Sequence, residues 1–327
     1  MNAGRKVVVL AATLCAMSAA TGAAQAQGDY PARPVTLILP YGAGGVADVS
    51  LRILGERLSD RLKQPFVIEN RPGAGGVVAA QAGASAAPDG YTLLMTGTNT
   101  AITTSLFKSL PYNILTDFDS VSTVADFDVL IVTRAGSPLH SLADFIAAAR
   151  ANPGKLNVGT VNPGGAQNLA VELFNSAADI KAAIVPFRTS PDMAGAVLRG
   201  DVDVAFEYYA ALSGLLTDNK IVALATTGAT RTAYLPDVPT AIESGIKGYD
   251  ATTWNGLSVP AHTPPSVIAT LNAAMKEVIA EPAMQSRANQ MGMAMRWSTA
   301  DDMTARMKAD IAKWGSVIDK AGIPKHD

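Results

Sequence analysis

The residues best placed to do chemistry lie in the stretch VTLILPYGAGGVADVSLRIL, Val35 to Leu54, where an apolar run enters glycines and continues into a helical pattern. Gly42, Gly44 and Ala47 match the G-x-G-x-x-G/A spacing of a dinucleotide loop, and Glu69 ends the next apolar run, where such folds place a ribose-binding acid. Against a dinucleotide stand the carboxylate of Asp48 in the first helical turn, the lack of a catalytic constellation downstream, and export to a compartment that does not supply free NAD. The loop still has a physical meaning without a nucleotide. Glycines let a ligand approach the backbone, and the first helical N–H groups lack intrahelical partners at the positive end of the helix dipole. An anion is the natural guest. The device recurs in LNVGTVNPGGAQNLAVELF, with glycines from Gly159 to Gly165. Two such loops facing one another would clamp an anionic group between two helix N-termini; the alternative is a pair of tight strand-to-helix turns.

Other candidates carry two readings each. Thr98 and Asn99 follow the third strand, at the edge where open parallel sheets bind ligands, or form a plain turn. Tyr41 covers the ligand or packs on its own lobe. Arg188 pairs with a second carboxylate or is a solvated charge. Glu207 selects a cationic or hydroxyl-bearing ligand or is structural. Trp254 is read as hinge or core rather than ligand platform, and Asp48 as a helix-start stabiliser with an indirect effect on binding. His140, His262 and His326 have no evident nucleophile partner, and no G-x-S-x-G, H-E-x-x-H or P-loop motif occurs. No enzyme, metal site or cofactor is expected.

These residues need elements to hold them. The chain has 327 residues, 48% hydrophobic and 17% charged, enough for a core and two domains. Arg5 and Lys6 precede the apolar run VVVLAATLCAM, and Ala24-Gln25-Ala26 supplies a small-x-small cleavage pattern, so residues 1–26 read as a signal peptide and the periplasm as the destination. The only cysteine, Cys15, falls within it, which leaves no disulfide or Cys-ligated zinc in the mature chain. Without Arg5 and Lys6, 24 basic residues stand against 28 acidic ones, and no basic arm invites nucleic acid.

From Tyr30, β-branched runs alternate with amphipathic ones, the signature of helix-covered parallel sheets. After the polar segment TDFDSVSTVADFD the rhythm restarts, from VLIVTR to IVALATT. A linker-like stretch, RTAYLPDVPTAIESGIKGYD, then leads to an extended crossing at TTWNGLSVPA and two closing helices. The expectation is a two-lobe α/β fold of the periplasmic binding protein type, each lobe a mainly parallel sheet, joined by two crossing strands. Lobe one takes residues 27–124 and 251–327 and lobe two residues 125–250.

The segments VTLILPYGAGGVAD, ENRPGAGGVVAAQ, APDGYTLLMTGT, IVPFRTSPDMAGAVLRGDVDVAF, ALATTGATRTAYLPDVPTAIESG, TTWNGLSVPAHTP and KWGSVIDKAGIP, in order along the whole mature chain, resemble the substrate-binding proteins of tripartite tricarboxylate transporters, the TctC or Bug family. The resemblance implies a monomeric periplasmic receptor that closes on a carboxylate and presents it to the two membrane subunits of a permease. It implies a site, completed by ordered waters, in the loops Pro40–Asp48 and Gly159–Asn168. Within them Gly44, Gly45, Val46, Thr160, Gly164, Gly165 and Ala166 are the expected contacts, with Asp48. Glu207 stands where many relatives carry Asp, and Arg188 where many carry Lys. Ala43, Ala47, Gly165 and Asn168 replace the family's usual Pro, Thr or Ser, Ser and His. The missing hydroxyls leave the carboxylate to backbone N–H groups, Thr160 or water, and the room they vacate favours a bulkier or aromatic acid. A ligand-sensing partner of a signalling receptor would use the same fold.

Overall fold

The computed structural model describes residues 30–327, so the expected signal peptide and Cys15 lie outside the described residues. In the first lobe, β1 (Val35–Leu39) is buried on both faces, as the central strand of a covered parallel sheet must be. Helix α1 (Val46–Leu62) lays Leu51, Leu54 and Leu58 against it, the helical stripe seen in the sequence. There follow β2 (Phe66–Asn70), a short 3-10 turn at Ala74–Gly76, α2 (Val77–Ala84), β3 (Thr92–Gly97), α3 (Thr98–Leu106) and β4 (Phe118–Phe127). The second lobe runs β5 (Val129–Arg134), α4 (Leu142–Ala151), β6 (Asn157–Val161), α5 (Ala166–Ala178), β7 (Ala183–Phe187), α6 (Ser190–Arg199), β8 (Val204–Tyr208), α7 (Tyr209–Thr217) and β9 (Ile221–Thr226). The chain returns through β10 (Thr253–Pro260) and closes with α8 (Pro265–Ile279), α9 (Pro282–Gln290), β11 (Ala294–Met295) and α10 (Ala300–Ala321).

The sheet orders are β11-β4-β10-β3-β1-β2 and β7-β6-β8-β5-β9. The two-lobe α/β architecture is the expected one, but the sheets are mixed rather than mainly parallel. Only β2-β1-β3 and β7-β6-β8 pair in parallel. The reason is connectivity: β4 leaves lobe one and β10 re-enters it, so as neighbours they must run in opposite directions, as must β5 and β9.

Three other expectations are corrected. The polar segment TDFDSVSTVADFD contains the ten-residue strand β4, lying between β10 and β11. Its buried polar side chains are bonded: Ser122 Oγ accepts the Ser298 N–H and Thr123 Oγ1 donates to the Arg296 carbonyl. The linker-like stretch is packed onto lobe two, with Ala241, Ile246 and Tyr249 buried and the Tyr249 hydroxyl donating to the Ala170 carbonyl. Three helices close the chain instead of two. In α9 only Met284 and Ala288 are buried, too sparse an apolar pattern to announce a helix.

The crossings lie side by side. Thr227 stitches them, its backbone N–H donating to the Val129 carbonyl and its hydroxyl accepting the Val129 N–H, while the Ala251 N–H donates to the Thr227 carbonyl. On the outgoing crossing the side chains alternate, as strand geometry requires. Phe127 faces one cavity, and Asp126 and Asp128 face another on the opposite side, with Asp250 and Arg296. Asp128 is 8% exposed, packed against Gly228 and bonded by the Thr252 hydroxyl at 3.3 Å. Burial, reinforced by Asp250 and Asp126, lifts its carboxyl from the ordinary 3.8 to about 7. A raised carboxylate pKa means that the fold binds the proton more tightly than the unfolded chain, so stability falls as pH rises from about 4 through about 7. Asp128→Asn should therefore raise the melting temperature above that of the wild type by a margin that grows across this window and levels off above it. A margin independent of pH in melting curves from pH 4 to 8 would exclude this role for Asp128.

Candidate functional site

The loop after β1 is shaped by one buried carboxylate. Gly44 takes φ +87°, a conformation that side-chain-bearing residues adopt reluctantly, and turns its N–H back onto Asp48 Oδ2 at 2.9 Å. Arg52, one turn further along α1, donates from Nε and Nη2 to the two oxygens of Asp48, both at 2.9 Å. Asn70, at the end of β2, donates from Nδ2 to Asp48 Oδ1 and to the Tyr41 carbonyl. Asp48 is 3% exposed, and the bonds from Arg52 above all, then from Gly44 and Asn70, hold its carboxyl down at about 2. With the clamp in place, Gly45 enters α1 extended and no side chain caps the helix.

The second loop repeats the construction with a neutral clamp. Gly164 takes φ +75° and donates its N–H to Asn168 Oδ1 at 3.0 Å, four residues on, while Asn168 Nδ2 reaches Thr160 Oγ1 at 3.5 Å. Gly165 enters α5 extended, again with no side-chain cap. In both helices the N-cap is a glycine with no side chain to offer, and the third helical residue, Asp48 or Asn168, turns its side chain back onto the loop. The first N–H groups are thus left for an outside acceptor.

The loops meet at a cavity of about 260 Å³. Gly45, Val46 and Ala47 line it from α1, Thr98 and Asn99 from α3, and Asn162 and Gln167 from the second loop. Phe127 and Tyr208, an edge-to-face pair with centroids 6.3 Å apart, form an aromatic wall at the crossing. Burial pushes the Tyr208 hydroxyl above its ordinary range, so it stays protonated and can donate. A second cavity of about 590 Å³ shares Tyr41, Asn99, Asn162 and Gln167 with the first and extends under the glycines Gly73, Gly75 and Gly76 to Leu106, Phe107 and His326.

Of the residues expected from sequence, Tyr41, Gly45, Val46, Thr98 and Asn99 line the first cavity, and Gly164, Gly165 and Ala166 the second. Thr98 and Asn99 open a helix rather than a plain turn. The Thr98 hydroxyl is engaged in the core, accepting the Trp254 N–H at 3.0 Å, while Asn99 Nδ2 donates to the Tyr41 hydroxyl at 2.9 Å. Five others lie outside the linings of both cavities. Gly44 and Asp48 shape their loop and do not line either cavity; the oxygens of Asp48 are already occupied. Thr160 is fully buried beneath the second loop, beside Asn168. Arg188, just past the end of β7, is exposed and lines neither cavity. Glu207 lies behind the cleft wall at 1% exposure, bonded to Gln167, Ser190 and Tyr208. Sequence reading missed Asn162, Gln167, Phe127, Tyr208 and the Gly73–Gly76 glycines. Of these, only the glycine-rich ENRPGAGG carried a visible signal. Trp254 is buried and held by Asp310, as expected of a hinge or core residue, although its edge reaches the cavity.

Among the described residues no helix is long and apolar enough to cross a membrane, and no group of three His, Cys, Asp or Glu is placed to hold a metal ion. The sequence profile of the tripartite tricarboxylate transporter family receptor, TctC, matches residues 50–323. The chain belongs to this family. Protein BugT of Bordetella pertussis (strain Tohama I) is 32% identical over 295 residues, 90% of either chain. Among solved structures, Rpa4515 of R. palustris with adipate superposes with a TM-score of 0.78 at 31% identity, covering 90% of this chain and 99% of the other. The periplasmic binding protein BugD gives 0.75 at 28%, covering 91% and 100%. TctC-family membership and these likenesses agree with the two-lobe fold.

If Asp48 acts only by shaping the first loop of this receptor, Asp48→Ala should lower stability by about 1–3 kcal/mol, the scale of buried bonds to a charged group. The loss should vanish as acid titrates the carboxyl: a depressed pKa stabilises the fold above the unfolded value of 3.8 and ceases to do so as pH falls through about 2. Urea unfolding of both proteins at pH 7 and pH 2 reads this directly, and an equal loss at both values would contradict the clamp.

Proposed function

We propose that this receptor captures a small organic mono- or dicarboxylate between its lobes in the periplasm, after removal of the signal peptide, and delivers it to the membrane subunits of a tripartite tricarboxylate transporter. One observation carries the reading: two uncapped helix N-termini, one from each lobe, border the same cleft. A carboxylate there accepts from both lobes only when they are closed, so binding favours the closed form by the difference in contacts. The adipate bound by Rpa4515 supports the ligand class. The larger cavity, with Leu106 and Phe107 on its wall, gives room for a bulkier or aromatic body. The protein acts as a monomeric receptor and not as an enzyme. The lobes divide near residues 125 and 250 and hinge at Asp128 and Ala251–Thr253.

A thermal-shift screen of the mature protein against aliphatic and aromatic mono-, di- and tricarboxylates, with NAD and neutral sugars as controls, tests the ligand class, since ligands of the native state raise its melting temperature. A rise confined to a subset of carboxylates is expected; a rise with NAD alone would replace this reading with a dinucleotide site. X-ray scattering with the best ligand should then show a smaller radius of gyration than without it. Unchanged dimensions at saturation would rule out closure.

A further inference from the structure

Gln167, the second residue of α5, lines both cavities with a side chain that is 8% exposed. Which of its amide atoms meets the cleft is decided by Glu207. Glu207 Oε1 takes the Tyr208 backbone N–H at 2.7 Å, so that oxygen is an acceptor, and its other neighbour at 3.0 Å must be a donor. The donor is Gln167 Nε2. Ser190 Oγ, at 2.7 Å from Glu207 Oε2, occupies the remaining oxygen and holds the carboxyl group in place. Gln167 therefore turns its nitrogen to the wall, and its Oε1, which accepts no hydrogen bond among the described residues, is the atom left for the cleft.

An acceptor at this point has consequences for the guest. It sits beside the first N–H groups of α5, where a bound carboxylate would bring further negative charge toward it. Two acceptors repel unless a donor lies between them, and a buried polar atom without a partner is costly. The amide dipole, its positive end on Glu207, adds to the preference for a donor.

We propose that Gln167 is a specificity-determining residue that accepts a hydrogen bond from a hydroxyl or ammonium group adjacent to the ligand's carboxylate, with Glu207 as the positioning residue that fixes its orientation. The ligand class narrows to hydroxy- and amino-carboxylates. This rests on the carboxylate reading above.

Calorimetric titration of matched acids tests it: lactate and alanine against propionate, malate and aspartate against succinate, and mandelate against phenylacetate. In at least one set the substituted acid should bind roughly tenfold or more tighter than its unsubstituted partner. Gln167→Leu should reduce that ratio to about threefold or less. Glu207→Met, which removes the acceptor that fixes the Gln167 amide, should reduce the ratio in the same direction. If Glu207→Met does not fold, Ser190→Ala, which loosens Glu207, should lower the ratio by a smaller factor. Equal binding of substituted and unsubstituted acids by the wild type, or a ratio that survives Gln167→Leu, would overturn the proposal while leaving the carboxylate site intact. Failure of every acid to bind would overturn both.

Discussion

Everything in the cleft depends on a hydrogen bond that runs backwards. In each loop a glycine N–H donates to the side chain four residues on, Gly44 to Asp48 and Gly164 to Asn168. Asp48 and Asn168 are third helical residues, whose side chains commonly reach back toward the helix start, while the N-cap in each helix is a glycine with no side chain to cap the N–H groups ahead. Here the two side chains accept from the loop behind, the glycines supply the left-handed backbone that the reversal demands, and the helix N-terminus stays unsatisfied. The unsatisfied end is expensive in an empty, dry site and favourable in a site that takes an anion. Asp48 makes the stronger clamp of the two because Arg52 neutralises it, and the same pairing removes its charge from the field that a ligand would meet.

Around this pair of loops the rest of the fold acts as a frame. Asp310 of the last helix accepts from the Trp254 indole at 2.8 Å and from the Thr98 hydroxyl at 3.5 Å, and it pairs with Lys313 at 3.1 Å. One carboxylate thus joins the C-terminal helix, the return crossing and the start of α3. Arg306 lies over the Trp254 ring and also pairs with Asp126 on the outgoing crossing. The alternation of Phe127 toward the cleft and Asp126 and Asp128 away from it puts apolar surface on the cleft and titratable groups on the far side of the crossing.

The parts of the fold that were legible in sequence are those with strong local signals. β1 and β3 are short, buried, β-branched or apolar runs, and α1 carries a regular leucine stripe; periodicity identifies such elements because burial on one face or two imposes it. β4 was not legible because its buried Ser122 and Thr123 are satisfied by residues some 170 positions away, a separation read directly from Ser298 and Arg296. α9 was not legible because it buries so little. The same logic separates the site residues. Gly45, Val46 and Ala166 lie at helix starts that any strand-glycine-helix pattern announces. Arg188 and Glu207 have the right chemistry and the right neighbourhood in sequence, yet one is exposed just past β7 and the other is buried behind the wall.

What the sequence by itself determined is therefore local and repetitive: two lobes of alternating strands and helices, and two glycine loops at helix starts. Glycine placement and apolar periodicity act over a few residues, so they are written in consecutive letters. Only the tertiary structure decided that Asp48 faces inward, that Phe127 and Tyr208 meet as one wall, and that Gln167 rather than Glu207 reaches the cleft. Those outcomes depend on which donors and acceptors distant segments bring together, and a buried polar group takes its orientation from its partners rather than from its neighbours in the chain.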